Sequence, residues 1–341
     1  MKLVRSLEEM QWRDFIAQHP ESNIFHTPEM FQVFEEAEGF QPKFWAVVDE
    51  KDTPLTLLLP VHITLIGGAL QYMTTRAVAY GSVLYTPGSK GKNALAYLLD
   101  AYQKEVDKRV LFTELRNVSD LEVVQPILDA HNFQYEEHMN YLIDLKRSPE
   151  EIMQSFGSRT RKRIRRALRK NQVRVTEISK REEILTCYEL LLASYTNAQV
   201  PLADISLFEA AYDQLHSKGM IKFYLAWVAE QCVAGSVELI YKDVIYGWYS
   251  GVDRDFSAYI PNEMLMWQIL KWGAENGYRL YDFGGAGRPD EEYGVRDFKA
   301  KFAGDLVMYG RNVCTHAPVR LAISKLGYQV YRYTLGSERS F

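Results

Sequence analysis

The chain has 341 residues, 47% hydrophobic and 25% charged, with a formal net charge of −4, which excludes a disordered chain and allows two domains with separate cores. No apolar run reaches the ~20 residues of a membrane span, and the opening MKLVRSLEEMQW lacks a signal-peptide core, so the expected location is the cytoplasm. Three cysteines without a C-x-x-C, and seven histidines without H-x-x-x-H spacing, predict neither a disulfide frame nor a metal site.

Taken in chain order, strand candidates at 43–48, 55–65 and 70–85 lead to a loop TPGSKGKN, a helix NALAYLLDAYQKEV, a strand VLFTELR, a second helix and a strand ending at YLIDL. SPEE then offers Ser148 as N-cap, Pro149 at the first helical position and Glu151 for a capping box. A boundary there gives an N-terminal domain, 1–147, and a C-terminal domain, 148–341. Helices near 181–194 and 205–217 follow, then strands IKFYLAWVA, CVAGSVELIY and VIYGWYSGV, a helix PNEMLMWQILKWGAENG and a strand RLYDF. Asn93 and Asn262 open matching helices 169 residues apart, so the pattern reads as two similar halves. Tight hairpins exclude a doubly wound parallel sheet. The predicted class is α/β (α+β), each half a mixed, mostly antiparallel sheet flanked by helices.

Charge divides unevenly. Residues 1–147 hold 14 Lys+Arg against 21 Asp+Glu, and residues 148–341 hold 26 against 23, so an anionic ligand is expected at the second half. Nine of these cations lie in SRTRKRIRRALRKNQVR, Ser158 to Arg174. A helix capped by Ser158 and ended by Asn171 gathers Phe156, Thr160, Ile164, Ala167 and Leu168 on one side, with Arg161 and Arg163 at its rim. Rim arginines suit phosphate because the guanidinium is a planar fork of donors; the plainer reading is a solvated helix face. The chain's overall acidity argues against DNA as a partner.

YDFGGAGRPDEE follows a strand directly. It does not complete G-x-G-x-x-G, and Pro289 with three following acids is a poor start for a phosphate-binding helix, so a dinucleotide site is excluded. Gly284 and Gly285 instead allow a tight turn, with Asp282 holding it by hydrogen bonds; a general-base role for Asp282 is the other reading. If 290–302 is helical, Val295, Phe298 and Phe302 share a face and Lys299 falls among them, while Lys301 points away. A partly buried lysine is unusual, and such a charge could stabilise a tetrahedral oxyanion; a snorkelling stem is the structural alternative. Alternation along VIYGWYSGV puts Tyr246 and Trp248 on one face and Tyr249 on the other, beside a groove. APVRLAISKLGYQVYRYTLG is a basic amphipathic helix candidate: docking on the core is one expectation, contact with an anionic membrane surface the other.

The run TRKRIRRALRKNQVRV, then PNEMLMWQILKWGAENGYRLYDFGGAG, then GVRDFKAKFAGDLVMYGR, preceded by SNIFHTPEMFQVFEEAEGF, resembles the Fem family of peptidoglycan peptidyltransferases, whose fold is a pair of GNAT-like acyltransferase domains. The resemblance implies transfer from an activated ester donor, aminoacyl-tRNA, to an amine of a phosphate-bearing envelope precursor at the inner face of the membrane. It places Arg161 at acceptor phosphate and Lys299 near the transferred group, with no metal or cofactor. The loop SGVDRDFSAYIPN lacks the Q/R-x-x-G-x-G/A pattern of GNAT enzymes that bind CoA. A CoA- or carrier-dependent N-acyltransferase is therefore the second expectation, and an inactive RNA-binding or interaction module the third.

Overall fold

The computed structural model describes residues 1–337, with side chains as far as Tyr328. Contacts divide it into two compact units, one made of Met1–Glu137 with the chain from Tyr309 onward, the other of His138–Met308. The capping box forms as the sequence suggests, with the Glu151 N–H reaching Ser148 Oγ and the Ser148 N–H reaching Glu151 Oε2, but it lies inside the second unit. The physical reason is strand pairing. Asn140–Asp144 hydrogen-bonds between Leu280–Gly285 and Asp305–Val307, and Arg311–Thr315 pairs with Phe112–Arg116 and Gln134–Glu136.

The first unit holds two sheets. Lys2–Val4, Trp45–Val48, Pro54–Leu58 and Val83–Tyr85 form a four-stranded antiparallel sheet. Phe40–Pro42, Val61–Thr64, Thr75–Tyr80, Phe112–Arg116, Arg311–Thr315 and Gln134–Glu136 form a six-stranded one. The run 55–65, expected as one strand, breaks at Pro60, which has no N–H for a ladder, and its halves join different sheets. The start of 70–85 is a short helix, Gln71–Thr74. Trp45, Leu58, Leu95, Leu98, Tyr102 and Phe133 pack into this unit's core.

The second unit is one seven-stranded sheet, ordered Val173–Glu177, Ile221–Val228, Gln231–Tyr241, Val244–Val252, Leu280–Gly285, Asn140–Asp144, Asp305–Val307. Val244–Val252 runs parallel to Leu280–Gly285, the two joined across the helix Pro261–Glu275. The first unit repeats this plan, with Thr75–Tyr80 parallel to Phe112–Arg116 across the helix Ser89–Glu105. That shared unit underlies the offset of 169, although the first helix opens at Ser89 rather than Asn93 and takes in part of the expected loop TPGSKGKN. Phe156, Ile164, Trp267, Tyr281, Phe283 and Phe302 belong to one buried cluster, each fully buried side chain contributing roughly 1.5–3 kcal/mol.

The basic helix spans Ser158–Lys170 and buries Ile164, while Leu168 stays exposed. Asn171 ends it in the left-handed conformation, φ 51°. Gly157, not Ser158, is the N-cap, and no side chain caps this end, because the turn begins one residue earlier with the Arg161 N–H bonded to the Gly157 carbonyl.

Candidate active site in the second unit

The strand Leu280–Gly285 delivers Asp282, Phe283, Gly284 and Gly285 to one place, and the helix Gly294–Ala300 delivers Lys299. Lys299 is buried, and its Nζ donates to the carbonyl oxygens of Phe283 at 2.6 Å, Gly284 at 3.2 Å and Gly285 at 2.8 Å. An ammonium has three protons, so this cradle accepts all of them. Burial pushes the Lys299 amine down to about 8, against the opposing pull of Asp282 and Glu238.

Asp282 holds the turn as the sequence reading expects. Its Oδ1 accepts from the Gly284 N–H at 2.7 Å and from Asn140 Nδ2 at 2.6 Å. Gly284 sits at φ 68°, where a side chain is strained, and a Cβ there would lie 3.2 Å from both the Gly247 carbonyl oxygen and the Tyr246 hydroxyl. Gly285 pairs in register with Asn140. Burial raises the Asp282 carboxyl, although Asn140, the Gly284 N–H and the Lys299 charge all favour its ionised form.

A second buried carboxyl, Glu238, escaped the sequence reading. It accepts from the Tyr281 hydroxyl at 3.0 Å, and desolvation pushes it up to about 7. A lone acid in the apolar strand CVAGSVELIY was the available signal. Because its folded value lies above the ordinary carboxyl value of 4.5, the folded chain binds the proton more tightly, and stability is lost as pH rises from about 4.5 through 7. Glu238→Gln should remove this pH dependence, gaining up to ~3 kcal/mol over the wild type above pH 7. Melting curves of both proteins from pH 5 to 8 check it, and parallel curves would contradict it.

The helix carrying Lys299 is shorter than expected, beginning at Gly294 rather than near 290, and Val295 is exposed instead of sharing a buried face with Phe298 and Phe302. The Phe298 ring contacts Phe302, with centroids 5.2 Å apart, and lies 5.2 Å from Lys301 Nζ. Lys301 turns away from the cradle to Glu263, 3.1 Å from its Oε1. Glu263 opens the helix Pro261–Glu275 with a mostly buried side chain, and the same oxygen lies 3.7 Å from Arg163. Carboxylates are favoured at a helix N-terminus, so Glu263 complements that end while drawing two cations to it.

Arg161 donates through Nη1 to the carbonyl oxygens of Gln154 and Phe156, at the carbonyl end of the helix Pro149–Ser155. This fixes the guanidinium and leaves its other N–H groups to offer. Tyr249 packs in an aromatic cluster, its ring 4.9 Å from Phe208 and 5.0 Å from Trp248. Trp248 also meets Phe208, at 6.0 Å, so both rings reach the same side. The expected alternation fails here because the pairing register shifts between Val237↔Tyr249 and Glu238↔Gly247, a bulge that turns Trp248.

Comparison with known proteins covers this site. Residues 154–299, from before Arg161 to Lys299, match the acetyltransferase (GNAT) domain family. The lipid II:glycine glycyltransferase of Staphylococcus haemolyticus is 21% identical over 229 residues, 47% of this chain and 54% of that protein. The Staphylococcus aureus protein of the same name is 21% identical over 231 residues. The chain thus spans about half the length of the curated relatives it matches. Among solved structures, FemX superposes with a TM-score of 0.72 at 17% identity, over 95% of this chain and 100% of that one. A tandem GNAT protein from the clavulanic acid biosynthesis pathway gives 0.57 at 13% identity, over 92% and 98%. With the doubled sheet-and-helix plan and the Lys299 cradle already in view, these likenesses give residues 154–299 as a GNAT-type domain and the chain as similar in fold to FemX.

Proposed function

We propose that the chain is an acyltransferase that moves an aminoacyl group from an activated ester to an amine of a phosphate-bearing peptidoglycan precursor. The observation that carries this reading is the buried Lys299 ammonium held on the glycine turn, together with relatives named for glycine transfer to lipid II. When the acceptor amine attacks the ester carbonyl, a C–N bond forms and negative charge collects on the carbonyl oxygen; collapse then breaks the ester C–O bond, the amine proton passing to the departing oxygen of the donor so that the alcohol leaves neutral. A fixed cation in a site that excludes water stabilises that charge without reorganising. The 3.2 Å bond to Gly284 is the longest of the three Lys299 bonds and the one an oxyanion would replace. Arg161, braced by two carbonyls, and Arg163 would hold acceptor phosphate. Catalysis then rests mainly on positioning and electrostatics.

We assign aminoacyl-tRNA as the donor, and Glu263 supports this against CoA. It sets a carboxylate at the N-terminus of the helix Pro261–Glu275, where a pyrophosphate would otherwise find N–H groups. Incubation with charged tRNA and a muramyl-peptide precursor, nucleotide-linked or lipid-linked, should add one aminoacyl mass to the precursor. Failure with both acceptors would sink the reading. CoA and acetyl-CoA at millimolar concentration should leave the melting temperature unchanged, whereas a ligand at 100 times its Kd would add ~2.7 kcal/mol. A clear CoA-induced rise would favour an acyl-CoA donor instead.

A further inference from the structure

We propose that one exposed face of the first unit, built from segment 65–72 and the outer side of residues 319–328 of the helix Pro318–Ser337, docks on an anionic lipid surface. Val319, Ile323 and Leu326 are 72%, 56% and 63% exposed and recur at i, i+4 and i+7, so they share a helix face. Arg320, Leu321 and Ser324 are less exposed and form the inward side. The amphipathic pattern is therefore inverted relative to a helix that docks by its apolar stripe. Leu65, Ile66, Leu70 and Tyr72 are also about half exposed. Arg320 joins the two segments, donating to the carbonyl oxygens of Tyr72 at 3.0 Å and Lys108 at 2.6 Å, across 248 residues of sequence in the first case. Two distant stretches thus present large apolar side chains on adjoining elements, and contiguous exposed apolar area marks an interaction surface.

Charge selects the partner. Lys108 and Lys325 are exposed beside these side chains, and residues 306–337 contain no acid, in a unit that is otherwise acid-rich. The neighbouring Asp107 is held by both oxygens on Arg109, at 2.5 to 3.1 Å. Apolar side chains rimmed by cations fit the boundary between acyl chains and anionic headgroups. No helix among the described residues is long and apolar enough to cross a membrane. The use of such docking, bringing the second unit to a lipid-linked acceptor, rests on the transfer reading; the surface itself does not.

The test is sedimentation of the full chain with vesicles of phosphatidylglycerol mixed into phosphatidylcholine, against phosphatidylcholine alone, without donor or precursor. Binding should favour the anionic vesicles by about tenfold or more and fall with salt. Leu70→Asp and Ile323→Asp, in the two separate segments, should each lower it about tenfold. Lys325→Gln should lower it about fivefold. Val123→Asp, an exposed apolar position on another element of the same unit, should leave it unchanged. All these sites are exposed, so folding should survive, and melting curves verify that. No vesicle binding by the wild type, or wild-type binding by Leu70→Asp, overturns the proposal. So does a lipid-free dimer that Ile323→Asp dissociates, since the face would then be a contact between copies. Transfer to a soluble nucleotide-linked precursor, measured on the same variants, separates failure of the surface from failure of the proposed reaction.

Discussion

Lys299→Met should lower turnover by about 10²-fold or more, the scale on which losing an oxyanion donor is felt. Methionine keeps the volume of the stem, and removing the charge also removes the cost of burying it, so the protein should still fold. Acceptor affinity should hold, because the charge is needed only as the carbonyl becomes tetrahedral. Lys301→Met should change turnover far less, since Lys301 reaches Glu263 rather than the cradle. The wild type adds a pH signature. With the Lys299 amine at about 8, the cation is present below that pH and lost above it, so kcat should decline on the alkaline side. Steady-state kinetics with saturating acceptor measure both effects. Full activity in Lys299→Met, or its simple unfolding, would make Lys299 a packing residue.

Much of this site was legible because its parts are local. Asp282, Gly284 and Gly285 sit within four residues of one another, and the turn they form needs only a strand end, a positive φ and a short acceptor side chain. Lys299 could be placed from helical spacing, although the helix is shorter than that spacing suggested and Val295 is not part of the buried face. What sequence could not show is where distant polar groups meet. Asn140 reaches Asp282 across 142 residues, and Glu263 draws in Arg163 from the basic helix and Lys301 from just past the end of the helix that carries Lys299. The division of the chain was hidden for the same reason: strands Asn140–Asp144 and Arg311–Thr315 choose their sheets by pairing partners remote in sequence. The strict alternation expected around Tyr249 is broken on a subtler count. Period-2 reasoning assumes a regular ladder, and one inserted residue in the strand reverses every side chain beyond it.

Asp282→Ala should destabilise the protein by about 3–5 kcal/mol, the range for breaking a buried, hydrogen-bonded charge. The Asn140 amide and the Gly284 N–H would each lose a buried acceptor, and Lys299 would lose a carboxylate that opposes its desolvation. Asp282→Asn separates the two readings of this residue. Its Oδ1 can still take both hydrogen bonds, so if Asp282 serves to hold the turn, the variant should melt near the wild type and keep turnover within about tenfold. If Asp282 were the general base, Asp282→Asn would fold normally yet lose 10²- to 10⁴-fold in turnover, roughly the contribution of a positioned base. The geometry favours the first outcome: the oxygen in question already accepts two bonds at 2.6 and 2.7 Å and is buried behind the turn it braces. Measured together, melting temperature and kcat for the Ala and Asn variants decide the matter. A stable, inactive Asp282→Asn would move the proton-accepting step from the substrates onto this carboxylate.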